Sequence, residues 1–159
     1  MSGPEKRVRM AEYAILKSPG LLVTVGLGSC VGIALYDKRK KIGGLVHIML
    51  PENKKGLKPA KYADTGIPLI IEELVKKGAK RHRLTAKIAG GAQMFSMKGN
   101  TPSLQVGKRN IEKVRKILKE EKIDLIGEDV GKNYGRTMKF YTSDGKVLIS
   151  SHRSDDNIL

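Results

Sequence analysis

Apolar positions along the chain fall into short runs with two different periods. Leu21–Leu27, residues 31–36 and residues 41–50 are apolar, β-branched-rich runs, bounded by glycine, by the polar Asp37-Lys38-Arg39-Lys40 and by Pro51. Runs of that length and composition predict buried strands. A shorter strand is expected over residues 11–15, ahead of the turn signal Ser18-Pro19-Gly20. From residue 60 the period changes. Ile67, Ile70, Ile71, Leu74 and Val75 fall at i, i+3, i+4, i+7 and i+8, which is one stripe of a helix over 60–77. Gly78 is placed to cap its end, and Pro68 predicts that the helix restarts near Gly66, with the proline in its first turn.

The second half repeats the alternation. Residues 84–89 read as a half-buried strand broken by Gly90-Gly91, and 92–108 read as a loop containing Gly99-Asn100-Thr101-Pro102. Asn110 is expected to cap a second helix over 111–121, with Ile111, Val114, Ile117 and Leu118 inward and a supporting Glu112–Lys116 pair. A strand over 123–130 follows, then a hairpin of residues 136–142 and Val147–Ser150 around Asp144-Gly145. The polar residues 151–159 are expected to fray. Many strands, two helices and short turns predict an α/β sandwich in which a mostly antiparallel sheet is covered by helices. With no repeat and no linker, residues 1–159 read as a single domain.

Charge narrows the partners. The chain carries 31 Lys and Arg against 16 Asp and Glu, a net +15. Such a balance attracts polyanions, yet it is also the mark of a solvated lysine-rich surface. There is no Trp and aromatics make up 4%, so platforms for stacking bases are scarce and no nucleic-acid partner is expected. No apolar run approaches the roughly 18–20 residues of a membrane helix, so no membrane insertion is expected. A polar N-terminus and a single cysteine predict a cytoplasmic protein without an internal disulfide.

The chemistry concentrates on Thr24-Val25-Gly26-Leu27-Gly28-Ser29-Cys30 and on His47. A lone cysteine can be a small buried hydrophobe. Here two glycines precede it, it falls between two apolar strands, and a histidine follows in a strand expected to lie beside the first. A neighbouring imidazolium lowers a thiol pKa, and the thiolate attacks a carbonyl while the histidine returns a proton to the leaving amine. Backbone N–H groups at Gly28 and Ser29 are candidates for an oxyanion hole. Thr24, polar within an apolar strand, is a candidate to orient the imidazole, or is an ordinary strand threonine. Gly28-Ser29-Cys30-Val31-Gly32 fits a nucleophile-elbow pattern, but that elbow needs a helix after the nucleophile and residues 31–36 read as a strand. No phosphate-binding or dinucleotide loop is present, and His82 and His152 have no ligand partners at metal spacing, so neither a cofactor nor a metal is expected.

Several blocks in order resemble the CheD family: residues 26–31, His47-Ile48-Met49-Leu50-Pro51, Lys61-Tyr62-Ala63-Asp64-Thr65, residues 86–95, Val106-Gly107-Lys108-Arg109-Asn110 and Gly135-Arg136. The resemblance implies a chemoreceptor glutamine deamidase with a three-layer α/β/β sandwich, similar to toxin-type glutamine deamidase domains. It implies Cys30 as nucleophile, His47 as general base and Thr24 as the third member, acting through a thioester without a cofactor. The implied partners are the cytoplasmic domains of methyl-accepting chemoreceptors, as substrate, and a CheC-type phosphatase. A regulatory binding module working mainly through that phosphatase, and a thiol amidase for a small molecule, stand as alternatives. Lys61, Asn110 and Arg136 lie in the shared blocks and read as structural. Gly131-Lys132-Asn133 departs from a family pattern of two glycines before the asparagine.

Overall fold

The computed structural model describes residues 3–94 and 105–159. Its ten described strands make two five-stranded sheets. In one the order is β1 (Glu5–Arg7), β3 (Leu21–Leu27), β8 (Arg136–Tyr141), β9 (Val147–Ser150) and β10 (Asn157–Ile158). In the other it is β2 (Tyr13–Lys17), β5 (Ile42–Ile48), β4 (Val31–Asp37), β6 (Leu84–Gly90) and β7 (Asp124–Val130). Only β1–β3 and β6–β7 pair in parallel.

The helices α1 (Ala63–Lys76) and α2 (Val106–Glu120) cover the outer face of the second sheet. Val31, Ile33 and Leu35 of β4 pack with Ile67, Ile70, Leu74, Val114 and Leu118. The alternate residues Ala34 and Tyr36 face the first sheet, where they meet Leu22, Met138, Phe140 and Ile149. This is the three-layer α/β/β sandwich. Because β4 and β5 lie in the middle layer, every one of their residues is buried, which is why they read as continuous apolar runs.

Four local expectations need correction. Helix α1 does not restart near Gly66: Gly66 is already helical, its N–H donating to the Tyr62 carbonyl at 2.7 Å, and Pro68 is the sixth residue of an unbroken helix. The lost bond of an interior proline is outweighed there by the buried stripe of Ile67, Ile70, Ile71 and Leu74. Residues Pro59–Lys61 ahead of it form a separate 3-10 turn. Helix α2 begins at Val106, so Asn110 sits inside it, fully buried, and caps nothing. The C-terminal residues do not all fray, since Asn157–Ile158 pair with β9 and Leu159 exchanges two backbone hydrogen bonds with Val147. Gly78 does end α1 as expected, at φ +111°, with the Ala79 N–H closing on the Leu74 carbonyl. The loop residues Gly99-Asn100-Thr101-Pro102 and the block residue Phe95 lie outside the described residues.

Candidate active site

Thr24 lies near the end of β3, just before a bulge. Between Thr24 and Leu27 the chain advances three residues while β8 advances two, from Met138 to Arg136. Gly26 takes up the extra residue at φ +71°. The bulge resets the alternation, so Thr24 and Leu27 both point inward while Val25 and Gly26 face out. The chain then turns tightly, with the Gly28 N–H donating to the Gly26 carbonyl at 3.0 Å, and delivers Cys30 to the start of β4. That bond engages the Gly28 N–H within the turn. The N–H groups of Ser29 and Cys30 donate to no backbone carbonyl among the described residues, and the Cys30 N–H faces its own thiol.

His47 is not in a strand beside β3. It sits in β5, opposite Gly32 of β4, and reaches Thr24 across the sandwich from the other sheet. The space between the sheets is tight opposite His47: a side chain at Gly32 would overlap Met138 Sδ and press on Leu27 Cδ1. Cys30 lies two residues before Gly32, on the same face, so it is the diagonal neighbour of His47. Such neighbours have Cβ atoms up to about 7 Å apart, a span that a thiol and the far ring nitrogen can close.

The hydrogen bonds fix the imidazole. Thr24 Oγ1 is 2.6 Å from the Val8 carbonyl oxygen and 2.7 Å from His47 Nδ1. A hydroxyl has one proton, and a carbonyl can only accept. The Thr24 proton therefore goes to Val8, and His47 Nδ1–H donates to Thr24. This leaves a lone pair on Nε2, which is buried and has no partner among the described residues. Thr24 and His47 are both fully buried and Cys30 is 8% exposed. Burial lowers the His47 pKa to about 4 and raises that of Cys30. At neutral pH the resting pair is a neutral thiol and a neutral imidazole, not the thiolate–imidazolium pair that the sequence suggested.

Two further elements pin the turn. The Gly91 N–H donates to the Cys30 carbonyl and the Ala92 N–H to the Gly28 carbonyl, each at 2.8 Å. Gly90 packs so closely that a side chain there would overlap the Cys30 carbonyl. From α2, one nitrogen, Asn110 Nδ2, donates to both the Ser29 and the Met49 carbonyls, each at 2.9 Å. Asn110 thus ties the Cys30 turn to the segment that follows His47. Its spacing from the other site residues gave no hint of this; the available signal was an asparagine on the apolar face of a helix.

Arg136, expected to be structural, ties the late loop together, while its buried Nη2 has no partner among the described residues. Its Nε donates to Asp129 Oδ1 at 2.9 Å and its Nη1 to the Gly131 carbonyl at 2.9 Å. Lys132 adopts a left-handed φ of +61° while its carbonyl accepts the Gln93 N–H. That conformation is the one that favours glycine, which gives a reason for a second glycine at this point of the loop. A cavity of about 610 Å³ opens beside the turn, bordered by Gly26, Met94, Tyr134, Arg136 and Ser151.

Comparison with known proteins adds the lineage. The family described as CheD chemotactic sensory transduction matches residues 49–151. A Caldanaerobacter subterraneus subsp. tengcongensis protein named "Probable chemoreceptor glutamine deamidase CheD" is 51% identical over 148 residues, 91% of each chain. Proteins of the same name from Clostridium botulinum (strain Alaska E43 / Type E3) and Desulforamulus reducens are 49% and 50% identical, over 94% and 91% of this chain and 94% and 89% of theirs. The chain belongs to the CheD family. Among solved structures, the Bacillus licheniformis hypothetical protein YfiH matches with a TM-score of 0.49 and 16% identity, over 76% of this chain and 51% of its own. In this CheD-family chain, several of the blocks that carried the resemblance meet at the Cys30 turn: Gly90-Gly91 and Asn110 of α2 contact residues 28–30, and Asn110 also reaches Met49, two residues after His47. No described helix is long and apolar enough to cross a membrane.

Proposed function

We propose that this chain is a cytoplasmic protein-glutamine deamidase acting on chemoreceptors. The observation that carries the chemistry is the chain from the Val8 carbonyl through Thr24 to His47 Nδ1, which leaves Nε2 as a free base on the face that holds Cys30. The names of the relatives supply the substrate class.

In the proposed reaction Cys30 Sγ attacks the carboxamide carbon of a glutamine. His47 Nε2 takes the thiol proton as the C–S bond forms, which suits a pair that is neutral at rest. The N–H groups of Ser29 and Cys30 donate to the oxyanion. The tetrahedral intermediate collapses, the C–N bond breaks, and ammonia leaves with the proton from His47. Water then attacks the thioester, giving its proton to His47 and then to the departing thiol. The product is glutamate. Thr24 holds the imidazole in the productive tautomer throughout. The family resemblance adds a CheC-type phosphatase as binding partner, which a pull-down with the purified phosphatase tests.

The test is incubation with a chemoreceptor cytoplasmic fragment, followed by mass spectrometry. Each converted glutamine gains about one dalton, and Cys30→Ala abolishes the gain. Deamidation that persists in Cys30→Ala overturns the mechanism.

A further inference from the structure

Next to the nucleophile turn lies a surface that the reaction itself does not use. Leu50 and Leu57 are 36% and 70% exposed. They border one groove of about 470 Å³ together with Lys54, Lys55, Lys58 and Lys61. Glu52 is the one acid on its rim and is already engaged by Lys113 at 4.0 Å. Lys54, Lys55 and Lys58 have no carboxylate partner among the described residues.

The loop is built rather than slack. The Asn53 side chain accepts the N–H groups of Lys55 and Gly56, at 3.2 and 2.7 Å, and donates to the Leu57 carbonyl at 3.4 Å. The Asn53 N–H in turn donates to Asp64 of α1 at 2.9 Å. These bonds present Leu57 outward, where a large apolar side chain gains nothing unless something covers it. The groove is also anchored to the reacting centre. The Ser29 and Met49 carbonyls share one Asn110 nitrogen, so they lie within about 6 Å of each other, two hydrogen-bond lengths. Leu50 follows Met49 directly.

We propose that residues 50–61 form the substrate-docking shelf, and that its occupant is an acidic amphipathic helix that offers a glutamine to Cys30. This rests on the deamidase reading above. The leucines take the apolar stripe of such a helix and the lysines take carboxylates one turn away, the usual division in helix-in-groove recognition. A second copy of this chain is disfavoured by its own net charge of +15.

The test uses a helical peptide with a central glutamine, a leucine stripe and flanking glutamates, and a twin with lysines in place of the glutamates. Binding is read by fluorescence anisotropy on Cys30→Ala, and turnover by mass spectrometry on the chain with Cys30 intact. In Lys54→Glu/Lys55→Glu/Lys58→Glu the acidic peptide is expected to lose affinity by about tenfold or more, and the basic twin to become the better ligand. Leu57→Ser is expected to weaken both peptides. Unchanged affinity in the charge-reversed variant, no preference for the twin, or no binding to Cys30→Ala overturns the shelf. So does a single-stranded oligonucleotide that binds as tightly and is indifferent to Leu57→Ser. Peptide binding to Cys30→Ala without turnover by the intact protein leaves the shelf standing and overturns the deamidase reading.

Discussion

Replacing Thr24 by valine keeps the shape of the side chain and removes its hydroxyl. Two buried groups then lose their partner at once: the Val8 carbonyl and His47 Nδ1–H, now 2.6 and 2.7 Å from Oγ1. Each orphaned group costs about 1–3 kcal/mol, and the added methyl recovers about 1 kcal/mol, so the net loss is about 1–5 kcal/mol. For a chain of 159 residues that lowers Tm by roughly 2–20 °C, which leaves most domains folded at 25 °C. The effect on catalysis is larger. Without an acceptor at Nδ1 the imidazole can protonate Nε2 instead, and the base is lost in that tautomer. General-base catalysis is typically worth about 10²–10⁴-fold, so kcat is expected to fall by at least about 10². Thr24→Ser keeps both hydrogen bonds and is expected to retain kcat within about threefold. The assay pairs deamidation kinetics with thermal melts and imidazole 15N chemical shifts, which distinguish an Nδ1–H ring from an Nε2–H ring. A folded Thr24→Val with kcat within about threefold of the parent would refute the argument that Thr24 sets the base.

The remaining predictions concern pH, Asn110 and the far end of β4. With the His47 pKa lowered to about 4 by burial, kcat/KM is expected to rise through pH 4 and stay flat from about pH 5 to 8, because only the neutral ring accepts the thiol proton; an acid limb near 6.5 contradicts this. The same shift links to stability. In the folded state His47 titrates below its ordinary value of 6.5, so its contribution is complete above 6.5 and is lost as pH falls toward 4. That amounts to roughly 3 kcal/mol, readable from urea melts between those pH values. Asn110→Ala strips the donor from the Ser29 and Met49 carbonyls; kcat/KM is expected to fall at least about tenfold with a stability loss of about 1–3 kcal/mol, measured on the same preparation. Asp37 is buried at the opposite end of β4 from Cys30, paired through both oxygens with Arg83 at 2.9 and 3.0 Å. Burial opposes its ionisation, but Arg83 and the N–H groups of Lys80, Lys40 and Arg39 outweigh it and hold the pKa well below the carboxylate range. Asp37→Ala is therefore expected to cost about 3 kcal/mol in urea melts while activity per folded molecule is unchanged.

What was legible in the sequence, and what was not, follows from where each element gets its stability. β3, β4 and β5 could be read because middle-layer strands must be apolar along their length, and the Asp144-Gly145 hairpin because its turn chemistry is local. β1 and β10 could not. They are exposed segments of three and two residues that exist through backbone pairing with β3 and β9, and side-chain patterns carry no trace of that. The start of α2 was misplaced for a related reason: its first turn is held by Gly107, packed against the carbonyls of Gly91 and Ala92, a tertiary contact rather than a cap. Within the site, the glycines around Cys30 were visible as a turn. The sheet that holds His47 was not, since two apolar strands look alike whether they neighbour each other or face across a core. The Val8 carbonyl that sets the tautomer belongs to the backbone and leaves no residue signature.

That division of the site between layers has a consequence for when the protein is reactive. The proposed nucleophile Cys30 and base His47 belong to one sheet, but Thr24, which holds the imidazole, belongs to the other, and so does the N-terminal stretch whose carbonyl holds Thr24. A nascent or partly opened chain, with one sheet formed and the second undocked, would carry a cysteine and a histidine side by side and still lack a competent base. Competence comes with closure of the two sheets. Under the proposed deamidase activity that coupling acts as a safeguard: a misassembled copy is inert toward the glutamines of its neighbours.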